Sequence, residues 1–263
     1  MPCFAKAILL PSLALAASLA FVSVPAAAEP TEITVRVLGK DSKFIGSSMG
    51  GARVILRDAD TGEILAQGVT QGGTGNTGLI MHEDKGRRAT LSDESAAHFT
   101  ATIDIDAPRL IEAEAYGPLG QRQGANRATQ TQWVVPGEHI TGGDGWVLEL
   151  PGYVVDVLAP PAHVKLPADT TEVGLHANVA LMCGCPITPG GLWDADKLKV
   201  KALVTHNGKK QPAIDLAFAG QTSQFKGRIP VFGGGLYDIT VYAYSPETGN
   251  TGVDRTTFII QSD

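Results

Sequence analysis

An all-β chain, folded as two β-sandwiches in tandem after a cleaved leader, is what the sequence predicts. Three observations carry the prediction. No long window holds an amphipathic helical repeat, whereas runs of period-two alternation recur throughout. Turn chemistry rich in Gly, Pro, Asp and Asn separates those runs. The runs also divide into two sets around Leu150-Pro151-Gly152.

The leader comes first. Lys6 supplies a positive start, Ala7 to Val24 is mostly apolar, and Pro25-Ala26-Ala27-Ala28 offers small residues where a signal peptidase cuts. Residues 1–28 therefore read as a signal peptide cleaved after Ala28, and Cys3 leaves with it. No other segment is apolar for long enough to span a bilayer, so the mature chain is not expected to insert in a membrane. The expected location is the periplasm or the exterior. The remaining residues, about 235, suit two domains of ordinary size. The whole chain carries 21 Lys and Arg against 27 Asp and Glu, a net charge of −6. That acidic balance argues against nucleic acid or an anionic membrane as partner.

In the first half, Thr31 to Leu38 alternates, with Ile33, Val35 and Val37 on one face and Thr34 and Arg36 on the other. Ala52 to Arg57 and Glu63 to Thr70 pair across Asp58-Ala59-Asp60-Thr61-Gly62, a turn sequence. His98 to Ile105, Leu110 to Tyr116 and Gly145 to Leu150 complete the set. Residues 72–97 and 117–127 are long polar connections without a clear element, a form used for binding loops. The stretch Gly51 to Gly73 resembles the carboxypeptidase-regulatory or transthyretin-like module, through Ala52-Arg53-Val54-Ile55-Leu56, Asp60-Thr61-Gly62-Glu63 and Ala66-x-Gly68-x-Thr70. The resemblance implies a non-catalytic sandwich over residues 29–151.

In the second half, residues 152–263, the expected strands are Tyr153 to Leu158, Glu172 to Leu181, Leu198 to Thr205, Pro212 to Phe218, Gln224 to Val231, Tyr237 to Tyr244 and Arg255 to Ile260. Gly235-Leu236-Tyr237-Asp238-Ile239-Thr240-Val241 has the form of a tyrosine corner, and Thr248-Gly249-Asn250-Thr251-Gly252 leads into the last strand. This ending resembles the Ig-like repeats of exported bacterial proteins, which implies an Ig-like sandwich and leaves function open.

The two cysteines of the mature chain lie in Leu181-Met182-Cys183-Gly184-Cys185-Pro186. Val173, Leu175, Ala177, Val179 and Leu181 share the core parity of their strand, and Cys183 and Cys185 continue it. On a regular strand, side chains two apart stand about 6–7 Å apart, too far for a disulfide. Gly184 and Pro186 suggest a bend that closes this gap and carries the sulfurs into the loop ending at Trp193. Three readings stay open: a structural pair of thiols or a tight disulfide; a soft-metal site; and a thiol–disulfide exchange site. The metal would be Cu(I), on Cys183, Cys185 and the thioether of Met182, since sulfur ligands select that ion. His176 falls on the wrong face to join them.

Other motifs carry less. Gly46-Ser47-Ser48-Met49-Gly50 fits a nucleophile elbow in letters, but the strand and helix that such a motif needs are not expected around Ser48. Gly73-Thr74-Gly75-Asn76-Thr77-Gly78 is expected to be a turn, with no helix after it to hold a phosphate. His82-Glu83-Asp84 with Asp93 and Glu94 offers loop oxygens of the kind a calcium ion takes, though scattered carboxylates are usually solvated. Trp133, Trp146 and Trp193 could stack on sugar, but aromatics of sandwiches more often serve the core or rim. The chain is thus expected to be a non-enzymatic binding or assembly module. Its partner would be an envelope protein or glycan, and its most distinctive surface the loop from Cys183 to Trp193.

Overall fold

A computed structural model describes residues 1, 27–82, 86 and 88–262. The apolar leader and Glu83-Asp84 lie outside the described residues. Among the described residues no helix is long and apolar enough to cross a membrane.

The first half holds seven strands: β1 (Glu29–Gly39), β2 (Arg53–Asp58), β3 (Ile64–Val69), β4 (Phe99–Ile105), β5 (Arg109–Gly117), β6 (Asn126–Val134) and β7 (Trp146–Leu150). They form two sheets, ordered β4-β1-β7 and β3-β2-β5-β6. β1 pairs antiparallel with β4 and parallel with β7. The parity read from the sequence is the one that packs: Ile33, Val35, Val37, Val54, Leu56, Ile111 and Leu148 are buried in one core. β6 begins at the end of the connection expected over 117–127 and is a strand over residues that the sequence left unassigned. It is an edge strand, so one flank of its backbone and most of its Thr and Gln side chains face water. Residues 72–82 and 88–97 are pinned rather than free. Gly73 N–H donates to Ser95 O (2.6 Å), and the Asp144 carboxylate accepts from the backbone N–H of Leu91 and Ser92. A short helical turn, Gly78–His82, follows Gly73–Gly78, where none was expected.

The second half holds β8 (Tyr153–Ala159), β9 (Val164–Leu166), β10 (Glu172–Leu181), β11 (Lys199–His206), β12 (Lys209–Lys210), β13 (Ile214–Asp215), β14 (Ala217–Phe218), β15 (Gln224–Pro230), β16 (Gly235–Tyr244) and β17 (Thr251–Ile260). One sheet runs β14-β15-β10-β8, the other β12-β11-β16-β17-β9, with β13 also on β11. Lettered as an Ig domain, the first is D-E-B-A and the second contains C-F-G, the Ig arrangement of two facing sheets. The chain is therefore all-β, built as two tandem β-sandwiches, the second with the Ig-like strand order. The expected strand Pro212 to Phe218 is two short pieces, and the three-residue β9, flanked by Pro161 and Pro167, was not foreseen.

Tyr237 forms the corner that its sequence context predicts. Its ring is fully buried between His206 and Phe258, with centroids 4.4 and 4.6 Å away. Its hydroxyl accepts from Phe232 N–H (2.7 Å) and donates to Gly233 O (2.9 Å), tying β16 back to the connection before it. Replacing Tyr237 by Phe keeps the ring and orphans both backbone groups. Urea unfolding should show a loss of about 1–3 kcal/mol, with the same m-value as wild type.

Candidate functional site

The two sandwiches meet through a two-residue connection, Pro151-Gly152, between β7 and β8. Strand alternation decides what each side of the joint receives. In β8, Tyr153 and Val155 enter the second core while Val154 enters the first. Past the end of β10, Met182 enters the first core while Cys183 and Cys185 stay in the second. Polar contacts close the seam. Asn250, 1 % exposed, donates its amide N–H to Lys40 O (3.0 Å) and accepts Gly152 N–H on its amide oxygen (3.2 Å). Lys40 N–H donates to Leu150 O, Asn126 to Pro151 O, and the Trp193 indole N–H to Asp41 O (2.8 Å). The turn at Arg122–Gly124, in the connection expected to be a loose loop, lies against β8, with Gly124 packed on Val154.

The cysteine pair is a disulfide, with Cα atoms 5.4 Å apart. β10 ends at Leu181 and the chain turns back through Gly184 at φ +77°, a conformation that suits glycine. The expected bend is present, and it joins the sulfurs. It does not carry them into the loop. Cys183 is 2 % exposed and Cys185 5 %, both packed with Leu181 and Ile187. Met182 points the other way, fully buried in the first core, so the three sulfurs proposed as copper ligands are not brought together. His176 sits beside Lys226 on the neighbouring strand and not with the pair. Among the described residues no cluster of three or more His, Cys, Asp or Glu is placed to hold a metal. The distinctive surface of this loop lies nearer its end, at Leu192 and Trp193, not at the cysteines.

That end lines a cavity of about 120 Å³ in the seam. Its apolar walls are Tyr153, Ile187, Leu192, Trp193 and Leu198, and its polar groups are Asp41, Asp194, Lys197, Ser245 and Glu247. Two of the three carboxylates are engaged. Asp194 accepts from the N–H of Gly190 (2.9 Å) and Asp196 (3.0 Å), which hold its carboxyl below the usual range. Glu247 pairs with Lys197 at 3.1 Å. Asp41 has no such donor among the described residues because its side chain is exposed to water, and it occupies a left-handed backbone position at φ 55°. Desolvation first, and then the charge of Glu247, push its carboxyl above the usual range, with Lys40 opposing. Of these residues Ile187, Leu192 and Trp193 lie in the loop that the sequence marked, and Asp41, Tyr153, Ser245 and Glu247 come from distant segments.

The remaining sequence candidates scatter. Ser48 is an exposed member of a short turn, Ser47–Met49. Asp93 is taken up by Ser95. Trp146 is buried and donates to Gln130 (2.6 Å), while Trp133 is 63 % exposed on edge strand β6. On the outer face of the first sandwich, Glu114 is buried among Arg53, Arg57 and Arg127, a paired cluster that sequence alone did not mark.

No family model matches the chain, and no curated protein matches it. Solved structures give distant likenesses. An engineered protein matches 49 % of this chain and 24 % of its own length, at 16 % identity and TM-score 0.29. Fibronectin(III)-like modules of Clostridium thermocellum CbhA match 89 % of this chain and 94 % of theirs, at 12 % identity and TM-score 0.30. Titin domains Z1Z2, solved in complex with telethonin, match 91 % and 98 %, at 11 % identity and TM-score 0.27. Likenesses this distant add nothing about function.

Two outcomes follow from the site. A carboxyl whose folded pKa lies above its unfolded value weakens the fold once it ionises, and the penalty disappears as pH falls through the folded pKa toward the ordinary 3.8. Asp41→Asn should therefore raise Tm at pH 7 by no more than about 1 °C, since solvent screens an exposed charge, and the gain should vanish in melts run at progressively lower pH. The disulfide should resist dithiothreitol in the native protein and open only at denaturant concentrations that open the core, read as alkylated mass over time. Rapid native-state reduction would show a path to the sulfurs that the burial denies.

Proposed function

We propose that this chain is an exported, non-enzymatic binding or assembly module. It would act in the periplasm or outside the cell after removal of residues 1–28. A transthyretin-like or carboxypeptidase-regulatory-like sandwich, residues 29–151, would then present an Ig-like sandwich, residues 152–263, at a fixed angle. The partner class is an envelope protein or glycan.

The observation that carries this reading is the seam. Two modules that share core residues and bury an asparagine between them keep one relative orientation. An assembly module needs that, because a pre-set spacing of two surfaces lowers the ordering cost of engaging both. Copper handling is left out of the reading: it would need the disulfide reduced and Met182 withdrawn from the opposite core. Thiol exchange is left out because the bond lacks an exposed sulfur.

The test compares capture of envelope components by the mature chain, by Asn250→Ala and by the Cys183→Ser, Cys185→Ser double variant. Asn250→Ala leaves a buried donor and acceptor unpaired, at a cost of about 1–3 kcal/mol. It should widen the solution-scattering envelope and weaken retention of the partner. The double variant should retain it. Equal retention by Asn250→Ala, with the seam shown to be loosened, would remove the fixed-geometry reading.

A further inference from the structure

β6 ends its sheet with one flank of its backbone outside any ladder. It is nine residues long, pairs with β5 without a register shift, and holds no Pro, Lys, Asp or Glu. Such residues, together with bulges and very short strands, are what keep a sheet edge from joining another strand. The other described edges have them. β12 and β14 have two residues each, and β9 has three between Pro161 and Pro167. β3 pairs with β2 through a shifted register, and β8 with β10 likewise. β4 carries Asp104, and the five-residue β7 carries Glu149. In β6, by contrast, Asn126, Arg127, Thr129, Gln130, Thr131 and Trp133 are all exposed. Gln130 stays so although it accepts the Trp146 indole N–H. A row of free N–H and C=O groups suits one kind of ligand, an extended backbone.

The sequence of β6 selects the strand that fits it. Arg127, Thr129, Thr131 and Trp133 share the outer face, opposite Tyr116, Glu114, Glu112 and Leu110 of β5. A second β6, turned about a two-fold axis at Gln130, runs antiparallel to the first and keeps the same face outward. Arg127 of each copy then stands opposite Trp133 of the other, and Thr129 opposite Thr131. The pairing sets a cation against an indole at each end with hydroxyl pairs between, and no like charges meet across it. Arg127 is already held on this face, 3.6 Å from Glu114 and 5.9 Å from the Tyr116 ring centroid. Trp133, at 63 % exposure, has no such cover. We propose that two copies of this chain pair antiparallel through β6, joining their four-stranded sheets edge to edge. One ladder is a small interface, so the dimer is weak and depends on concentration. The inference goes beyond the binding-module reading and does not rest on it.

The experiment is analytical ultracentrifugation of the mature protein at concentrations rising to about 1 mM, with hydrogen exchange read on the same samples. Wild type should pass reversibly from monomer to dimer. The β6 amides that face away from β5 should gain protection in step with the dimer fraction. Trp133→Lys and Trp133→Glu change one exposed side chain with opposite sign, so both should melt as wild type does. Lys sets a cation opposite Arg127 and should weaken the dimer at least about ten-fold. Glu sets an anion there and should keep the dissociation constant within about three-fold of wild type. A monomer at every concentration would overturn the proposal. So would a dimer that Lys and Glu affect equally, or one whose β6 amides exchange as they do in the monomer. Protection of β6 that appears only when envelope proteins are added to a monomer would give the edge to a foreign strand and overturn it too. Envelope capture by a strictly monomeric chain would leave the binding-module reading standing.

Discussion

The structure depends on how two strands cross from one core to the other. Only two residues separate β7 from β8, so no long linker absorbs a mismatch between the sandwiches. Alternation then sends Val154 into the first core and its neighbours Tyr153 and Val155 into the second. Met182 and Cys183 divide in the same way past the end of β10. Neither core can be completed without residues from the segment that continues the other. The relative placement of the modules thus follows from the period-two rule at two points in the chain.

Asn250 converts this packing into a directional joint. Apolar contact alone tolerates small slides. A buried amide that must satisfy Lys40 O and Gly152 N–H does not, because a slide leaves polar atoms without water or partner. The disulfide has a local role beside it. In antibody domains the conserved bond spans the two sheets. Here it joins residues two apart at the end of β10, so it closes a tiny loop and constrains little of the unfolded chain. Its position suggests what it fixes: the turn that sends Met182 one way and the sulfurs the other.

Much of the fold was legible because it is written in short-range pattern. Glu172 to Leu181 could be read to the residue, and Tyr237 could be placed from the glycine and alternating residues around it. The failures have physical causes. β6 carries Thr, Gln and Asn where a half-buried strand would carry Val or Ile, because its neighbour supplies the pairing and water takes one flank. β9 is too short to show a period. At the cysteines the parity and the bend both held, as did the reading of a structural disulfide, and only the expected exit of the sulfurs into the loop failed. A single left-handed glycine reverses the chain fast enough to bring the sulfurs together while both remain inside. The cavity was illegible for a different reason: Asp41, Tyr153, Trp193 and Glu247 are neighbours only through the seam.

Asp41 is the residue that the fold alone does not explain. Its backbone is left-handed, which favours Gly, Asn and Asp over other types. Gly or Asn would meet that demand without a charge. Its carbonyl receives the Trp193 indole N–H, but any residue has a carbonyl. What the aspartate adds is a carboxylate at the exposed edge of the seam, where partial desolvation and Glu247 disfavour its ionised form and Lys40 favours it. Structural ion pairs elsewhere in the chain show the contrary arrangement, as at Asp58, where N–H donors and Arg109 answer the charge. At Asp41 water and Lys40 answer the charge instead, because the side chain is exposed at the edge of the seam and only its backbone carbonyl is tied to the indole.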